Sequence, residues 1–289
     1  MKRLLLAAAI AALTVPYAPA AWWAENDYSA GSNGLKKNSL TVFRKNSRAF
    51  TSGLNVSFYK DSAGYGDRIY SFRLPLMYSG PAYFISLKPF LYPVSPHTRS
   101  GASGGKLYLL TSLGETSDES YIHLAVSGAW ARQKAFTNDA GTLERKNFSQ
   151  SAFEVQAEKS FYGQFFFQVS AAGFSKPSGA SNFTLVRPTL DQSDLAYLGT
   201  FRQLTALPEW ALTAQLARSM KPEYDSHLYA GYSKISLRRA DRANSIVAGM
   251  KLGLNEKSSL DLAYNAYKQE RSAWKNYYRI FLQIFFQKI

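Results

Sequence analysis

Tyr278-Arg279-Ile280-Phe281-Leu282-Gln283-Ile284-Phe285-Phe286-Gln287-Lys288-Ile289 closes the chain, and its period is two. Tyr278, Ile280, Leu282, Ile284 and Phe286 fall on one face of a strand, with Arg279 and Gln283 on the other. A strand that runs to the last residue leaves an open edge unless the first strand of its sheet pairs with it. In hydrocarbon that closure is obligatory, because every backbone N–H and C=O must find its partner inside the protein.

The other end of the chain agrees with this. Lys2 and Arg3 form a short basic region, residues 4–15 an apolar run, and Ala18-Pro19-Ala20 a small-residue cleavage site. This pattern predicts an export signal over residues 1–20, cut before Ala21. The run is shorter than the roughly 20 residues a spanning helix needs, and no later stretch offers about 18 consecutive apolar residues. Any crossing of a membrane must therefore use strands.

Composition narrows the class. The 289 residues include 19 Tyr, 19 Phe and no cysteine. No disulfide, thiolate nucleophile or lipid-anchored cysteine is available. The formal net charge is +14, of which Lys2 and Arg3 leave with the signal. No nucleic-acid-binding pattern accompanies that charge, so the expected partners are outer-membrane lipid headgroups, anionic polysaccharide or solute, and a lipoprotein, with no nucleic acid.

From Arg48 onward, alternating segments of about ten residues recur between turn-formers, as in transmembrane barrels. Leu54, Val56 and Phe58 alternate with Asn55 and Ser57. Tyr70, Phe72, Leu74, Leu76 and Tyr78 alternate with Ser71 and Arg73, and Ser79-Gly80-Pro81 turns the chain into Tyr83, Ile85 and Leu87. Comparable runs follow through residues 107–113, 122–130, 153–157, 165–170, 210–216, 246–252 and 260–265. An even count with short turns on one rim is reached by taking residues 40–43 as a lead-in and pairing residues 182–187 with 194–202. The expectation is an all-β fold: a closed antiparallel transmembrane barrel of about fourteen strands, or twelve if Pro188 excludes its neighbours from the ladder. Residues 21–47 read as an N-terminal lead or small plug and residues 48–289 as the barrel.

With large apolar residues facing lipid, opposite parity sends Arg73, Lys88, Glu154, Glu158, Arg202, Lys251, Asp261 and Arg279 into the lumen. Their basic excess predicts weak anion preference. Tyr78, Tyr83, Tyr92, Trp130, Trp210, Tyr264, Tyr278 and Phe286 sit near strand ends, as interfacial aromatic girdles do. His97, His123 and His227 lie in no context that pairs a base with a hydroxyl nucleophile. Glu154 and Glu158 are roughly 13 Å apart at strand rise, too far for a carboxylate dyad. Metal-ligand clusters, phosphate loops and cofactor fingerprints are absent from the sequence, which predicts a protein that is not an enzyme.

The signal, the alternating strands and the aromatic-rich final strand resemble Gram-negative outer-membrane β-barrels over almost the whole mature chain. The tail from Ser258 through Tyr277-Tyr278-Arg279 to Phe286 is similar to the terminal hairpin of fourteen-stranded export-type barrels, such as surface lipoprotein assembly modifiers and YaiO-like proteins. That resemblance implies location in the outer membrane. It also implies recognition of Tyr278, Ile280, Leu282, Ile284 and Phe286 by the barrel-assembly machinery, although three residues follow the usual terminal aromatic. The leading functional expectation is a porin-like passive channel for small solutes. An export or surface-assembly barrel and a closed structural or adhesive barrel are the alternatives. Phe281 and Phe285, on the lumenal parity, predict a partly filled interior.

Overall fold

The computed structural model describes residues 21–60, 68–95, 99–113, 121–139, 141–162, 164–178, 184–187, 190–202, 204, 206–221, 226–238 and 241–286. The export signal, His97 and Pro188 lie outside these residues. The strands are β1 (Trp22–Gly31), β2 (Leu35–Lys45), β3 (Phe50–Lys60), β4 (Ile69–Arg73), β5 (Leu76–Ser79), β6 (Tyr83–Tyr92), β7 (Gly101–Leu113) and β8 (Ile122–Asp139). They continue with β9 (Thr142–Phe161), β10 (Phe165–Phe174), β11 (Thr184–Arg187), β12 (Pro208–Lys221), β13 (Ser226–Leu237), β14 (Arg242–Asn255), β15 (Ser258–Gln269) and β16 (Lys275–Phe285).

Fourteen strand positions make a closed antiparallel wall in which sequence neighbours pair. Closure comes from β1 against β16, in register from Trp23 opposite Phe285 to Gly31 opposite Tyr277. β4 and β5 share one position, both pairing with β3 and β6. The break falls at Leu74-Pro75, where proline has no N–H for the ladder. Leu74 N still donates to Pro89 O at 3.0 Å, and Gly53 N to Pro75 O at 2.8 Å. These two bonds carry the wall across the interruption.

The count of fourteen matches the expectation, but two of its members differ. Residues 21–47 are neither lead nor plug: β1 and β2 are the first two wall strands. The outward residues of β1 are Trp22, Ala24, Asn26, Tyr28 and Ala30, without one large aliphatic side chain, so its period of two is faint. Residues 182–187 and 194–202 do not form a wall hairpin. β11 instead pairs with the tip of β8, Leu185 opposite Thr137. β8 and β9, at 18 and 20 residues, overrun β7, whose pairing with β8 stops at Gly101 opposite Lys134. They form a hairpin that projects from the end of the barrel opposite the termini.

Outside, the wall shows the expected alternation. Leu107, Val126, Phe153, Leu212 and Ile280 are exposed, while their strand neighbours turn inward. Inside, at the end away from the termini, the lumenal residues are small: Ala102, Ala129, Ala131, Ala152, Ala172, Ala211 and Ala243 are all buried. They make room for the described residues 190–202 and 204 of the connection between β10 and β12, which fold back into the barrel. Leu190, Leu195, Ala196, Leu198 and Leu204 of that segment are almost wholly buried against this alanine lining and against Tyr59, Phe90, Ile235 and Tyr267. Each buried leucine contributes roughly 1.5–3 kcal/mol, so the insertion has a substantial hydrophobic drive.

Candidate functional site in the lumen

The lumen has two unlike halves. The half away from the termini holds the inserted segment, whose apolar side chains pack on alanines. The half toward the termini is lined by charged, amide and tyrosine side chains.

Polar contacts fix the inserted segment at several places, among them Tyr197 N, which donates to Glu154 Oε2 of β9 at 3.3 Å, and three larger groups. At the first, the Arg73 guanidinium forks onto Asp194, Nε to Oδ1 at 2.7 Å and Nη2 to Oδ2 at 2.9 Å. The same group donates to Tyr92 OH at 3.0 Å, Asn55 Oδ1 at 2.9 Å, Ser71 Oγ at 3.0 Å and Ser57 Oγ. Tyr92 OH in turn donates to Asp194 Oδ2 at 2.5 Å. At the second, Lys37 Nζ meets Asp191 Oδ2 at 2.5 Å, and Asp191 Oδ1 caps the short 3-10 turn Gln192–Asp194 through Ser193 N at 3.0 Å. Burial would raise the Asp191 carboxyl, but Lys37 and then Arg73 outweigh it and hold the group down at about 2. At the third, Ser245 Oγ donates to Gly199 O at 2.6 Å, and Asn265 Oδ1 accepts from Thr200 Oγ1 at 2.9 Å and Phe201 N at 3.0 Å. Gly199 has φ +59, and a Cβ there would collide with Ser233 Oγ. Only glycine fits that turn against the wall.

Bidentate arginine–carboxylate pairs of this kind are strong and directional. Other parts of the closed arrangement are less complete. The side-chain amides of Gln133, Gln150 and Gln192 are buried and find no hydrogen-bond partner among the described residues. Each such group opposes closure by about 1–3 kcal/mol.

In the half toward the termini, Lys106 Nζ lies 3.0 Å from Glu154 Oε2, which also accepts from Ser127 Oγ at 3.2 Å. Arg279 bridges Asp27, Nε to Oδ1 at 3.0 Å, and Asp261, Nη1 to Oδ2 at 3.7 Å. Tyr229 OH donates to Asp261 Oδ1 at 2.8 Å. Glu25 Oε1 accepts from Gln283 Nε2 at 3.0 Å and Trp23 Nε1 at 3.2 Å. His123 Nδ1 is 3.5 Å from Glu158 Oε1, its ring 4.1 Å from that of Tyr121. A cavity of about 240 Å³ opens here, lined by Tyr121, Glu158, Phe166, Gln168, Gln215, Ala217 and His227.

Arg73, Lys88, Glu154, Glu158, Lys251, Asp261 and Arg279 all lie on the inward face of their strands. Arg202 does not belong to the wall: it is on the inserted segment, its guanidinium 4.9 Å over the Tyr267 ring. Tyr92 is not a girdle residue either, being 1% exposed and bonded to Asp194 inside the barrel. Its parity was the signal, since Tyr92 and Lys88 are both even positions of β6, whose odd positions Tyr83 and Leu87 face out. Tyr78, Tyr83, Trp130, Tyr264, Tyr278 and Phe286 are exposed, and Trp210 is partly so. Phe281 lies on the lumenal face with the Arg279 guanidinium 5.2 Å above its ring.

Residues missed in the sequence alter the charge balance. Glu25 and Asp27 belong to β1, and Asp191 and Asp194 to the inserted segment, while Lys37 and Lys106 join the basic side. Among the described residues between the two mouths, seven bases (Lys37, Arg73, Lys88, Lys106, Arg202, Lys251, Arg279) thus meet seven acids (Glu25, Asp27, Glu154, Glu158, Asp191, Asp194, Asp261), while Lys45 and Lys275 fall on the inward parity of β2 and β16 at the mouths. Across the middle of the lumen the added acids offset the basic excess read from the later strands.

Among solved structures, a loop-deletion mutant of OmpT, an outer membrane protein of Vibrio cholerae, matches 92% of this chain and 99% of its own, at 10% identity and TM-score 0.50. Acinetobacter baumannii OccAB1 matches 92% of this chain and 95% of its own, at 8% identity and TM-score 0.50. The fold is that of the Gram-negative outer-membrane β-barrels. CdiB from Acinetobacter baumannii shares this barrel at 13% identity and TM-score 0.51, over 92% of this chain and 60% of its own. No protein-family model and no curated protein matches the sequence.

Proposed function

We propose that this outer-membrane barrel is a channel for small polar solutes whose passage is governed by the segment inserted between β10 and β12. The division of the lumen carries this reading. A charged, amide-lined half is expensive to maintain unless it is wet, and it leads directly to a plug made from one continuous stretch of chain. That stretch is held by side-chain contacts that can be broken and remade, and the buried amides of its own Gln192 and of Gln133 and Gln150 in the wall oppose closure. With seven bases against seven acids across the middle of the lumen, strong selection for one sign of charge is not expected. Short turns and both termini at one end assign that end to the periplasm, and the projecting β8–β9 hairpin to the cell surface. Export would use residues 1–20, and Tyr278, Ile280, Leu282, Ile284 and Phe286 would serve as the assembly signal.

Reconstitution of the mature chain in planar bilayers tests this. The wild type should show small or infrequent openings, and replacement of residues 190–204 by a short Gly/Ser linker should give large, stable ones. Silence from both proteins, with heat-modifiable mobility retained, would leave the closed structural barrel as the better reading. N-terminal sequencing of the membrane-resident protein should begin at Ala21.

A further inference from the structure

The outer surface of the wall between β6 and β9 changes character in steps toward the projecting hairpin. Register places outward residues of four strands at common levels. Leu87, Leu107 and Phe153 make an apolar level, and Pro89, Gly105 and Trp130 the next. Above these lie Leu91, Ser103 and Arg132, and then Gly101, Lys134 and Asn147. Apolar surface, indole, guanidinium and ammonium thus follow one another along the barrel axis. This is the order in which a lipid presents acyl chain, interface and charged headgroup.

The surface is also concave. A groove of about 640 Å³ runs here, walled by Leu91, Pro93 and Val94 on one side and by Arg132, Lys134 and Asn147 on the other. Its floor is β7, with Gly101 and Ser103 outward in this stretch; Gly105 lies one level below the groove, and a Cβ there would have no neighbour closer than 3.7 Å. Arg132 and Lys134 are exposed and make no ion pair among the described residues. Two positions apart on a strand, they stand about 7 Å from each other, a span that brackets one phosphate. Unpaired cations beside an apolar trough above an exposed tryptophan call for an anionic amphiphile.

We propose that this groove is a specific site for a phosphorylated membrane lipid, with the phosphate between Arg132 and Lys134 and an acyl chain along Gly105 past Trp130. The proposal rests on the membrane-spanning reading but not on channel activity. The rim that bears it is the one assigned to the cell surface, so the ligand comes from the outer leaflet.

Native mass spectrometry of the full mature chain in detergent, titrated with bis-phosphorylated lipid A, tests the site. Heat-modifiable mobility is checked first, and its absence in the wild type would overturn the membrane reading and the proposal together. Arg132→Gln with Lys134→Gln should weaken binding about 30-fold, two headgroup charges being removed. Ser103→Trp, which fills the trough and leaves both cations, should weaken it by at least about tenfold. Lys36→Gln with Lys60→Gln, an outward basic pair opposed on β2 and β3, should leave it unchanged. The proposal is overturned if the groove variants bind as the wild type does. It is overturned equally if the Lys36/Lys60 variant loses as much affinity, or if inorganic phosphate alone competes as well as the lipid.

Discussion

Replacing Arg73 by glutamine should release the inserted segment from its strongest anchor. The guanidinium and the Asp194 carboxylate are 10% and 7% exposed, and the change removes both of their mutual bonds. Asp194 keeps the Tyr92 hydroxyl, but its charge loses its hydrogen-bonded cation and is left with Lys88, which makes no direct ion pair with it, in a buried setting. Breaking one side of a buried pair destabilises by about 3–5 kcal/mol. At 1.4 kcal/mol per tenfold, that raises the open population of the segment by about a hundredfold or more. In bilayers the variant should open far more often than the wild type, and backbone amides of residues 190–202 should exchange with solvent correspondingly faster. Arg73→Met combined with Asp194→Leu should restore closure, because a buried ion pair replaced by apolar groups of similar volume is often neutral or better. If Arg73→Gln leaves both conductance and exchange at wild-type levels, the Arg73–Asp194 pair does not hold the plug.

Gly199→Ala should loosen the segment at its turn, adding about 1–2 kcal/mol of left-handed backbone strain to the collision with Ser233, read as faster protease cleavage within residues 190–204. Asn265→Leu removes the acceptor of Thr200 and Phe201 and leaves a buried N–H unmatched, so exchange at Phe201 should accelerate by roughly tenfold. Asp191, held at about 2 in the folded protein against 3.8 ordinarily, stabilises the closed plug above about pH 4. That contribution fades as pH falls from there toward 2, so open-channel frequency should be flat from neutrality to about pH 5 and rise below about 4, and a rise confined to alkaline pH would contradict it.

The wall was largely legible because a membrane barrel must repeat one rule in every strand, and stretches such as Leu54 to Tyr59 or Ile246 to Leu252 state it plainly. β1 was hidden because its outward face uses Trp22, Ala24, Asn26, Tyr28 and Ala30, which average to nothing on an aliphatic scale. The plug was hidden for a different reason. Residues 190–207 are apolar enough to be mistaken for wall, and what distinguishes them is a complementary property elsewhere, the alanines that face inward from β7 through β14. Small residues at the lumenal parity of several strands, beside an over-long apolar connection, were a readable sign that one fills the other. The Arg73–Asp194 and Lys37–Asp191 pairs join residues more than a hundred positions apart, and no local pattern announces such partners.

The closing ladder between β1 and β16 has a consequence for how the molecule is made. Gln283 meets Glu25 across 258 residues, so the first strand to be synthesised waits for the last before either edge is satisfied. Until then the nearly complete sheet exposes two open edges, the condition most prone to pairing with another chain. The ring is therefore a kinetic checkpoint: a chain cut short by its final strand lacks only one of fourteen staves, yet it strands the partners of β1 and β15 together and has no stable place to stop.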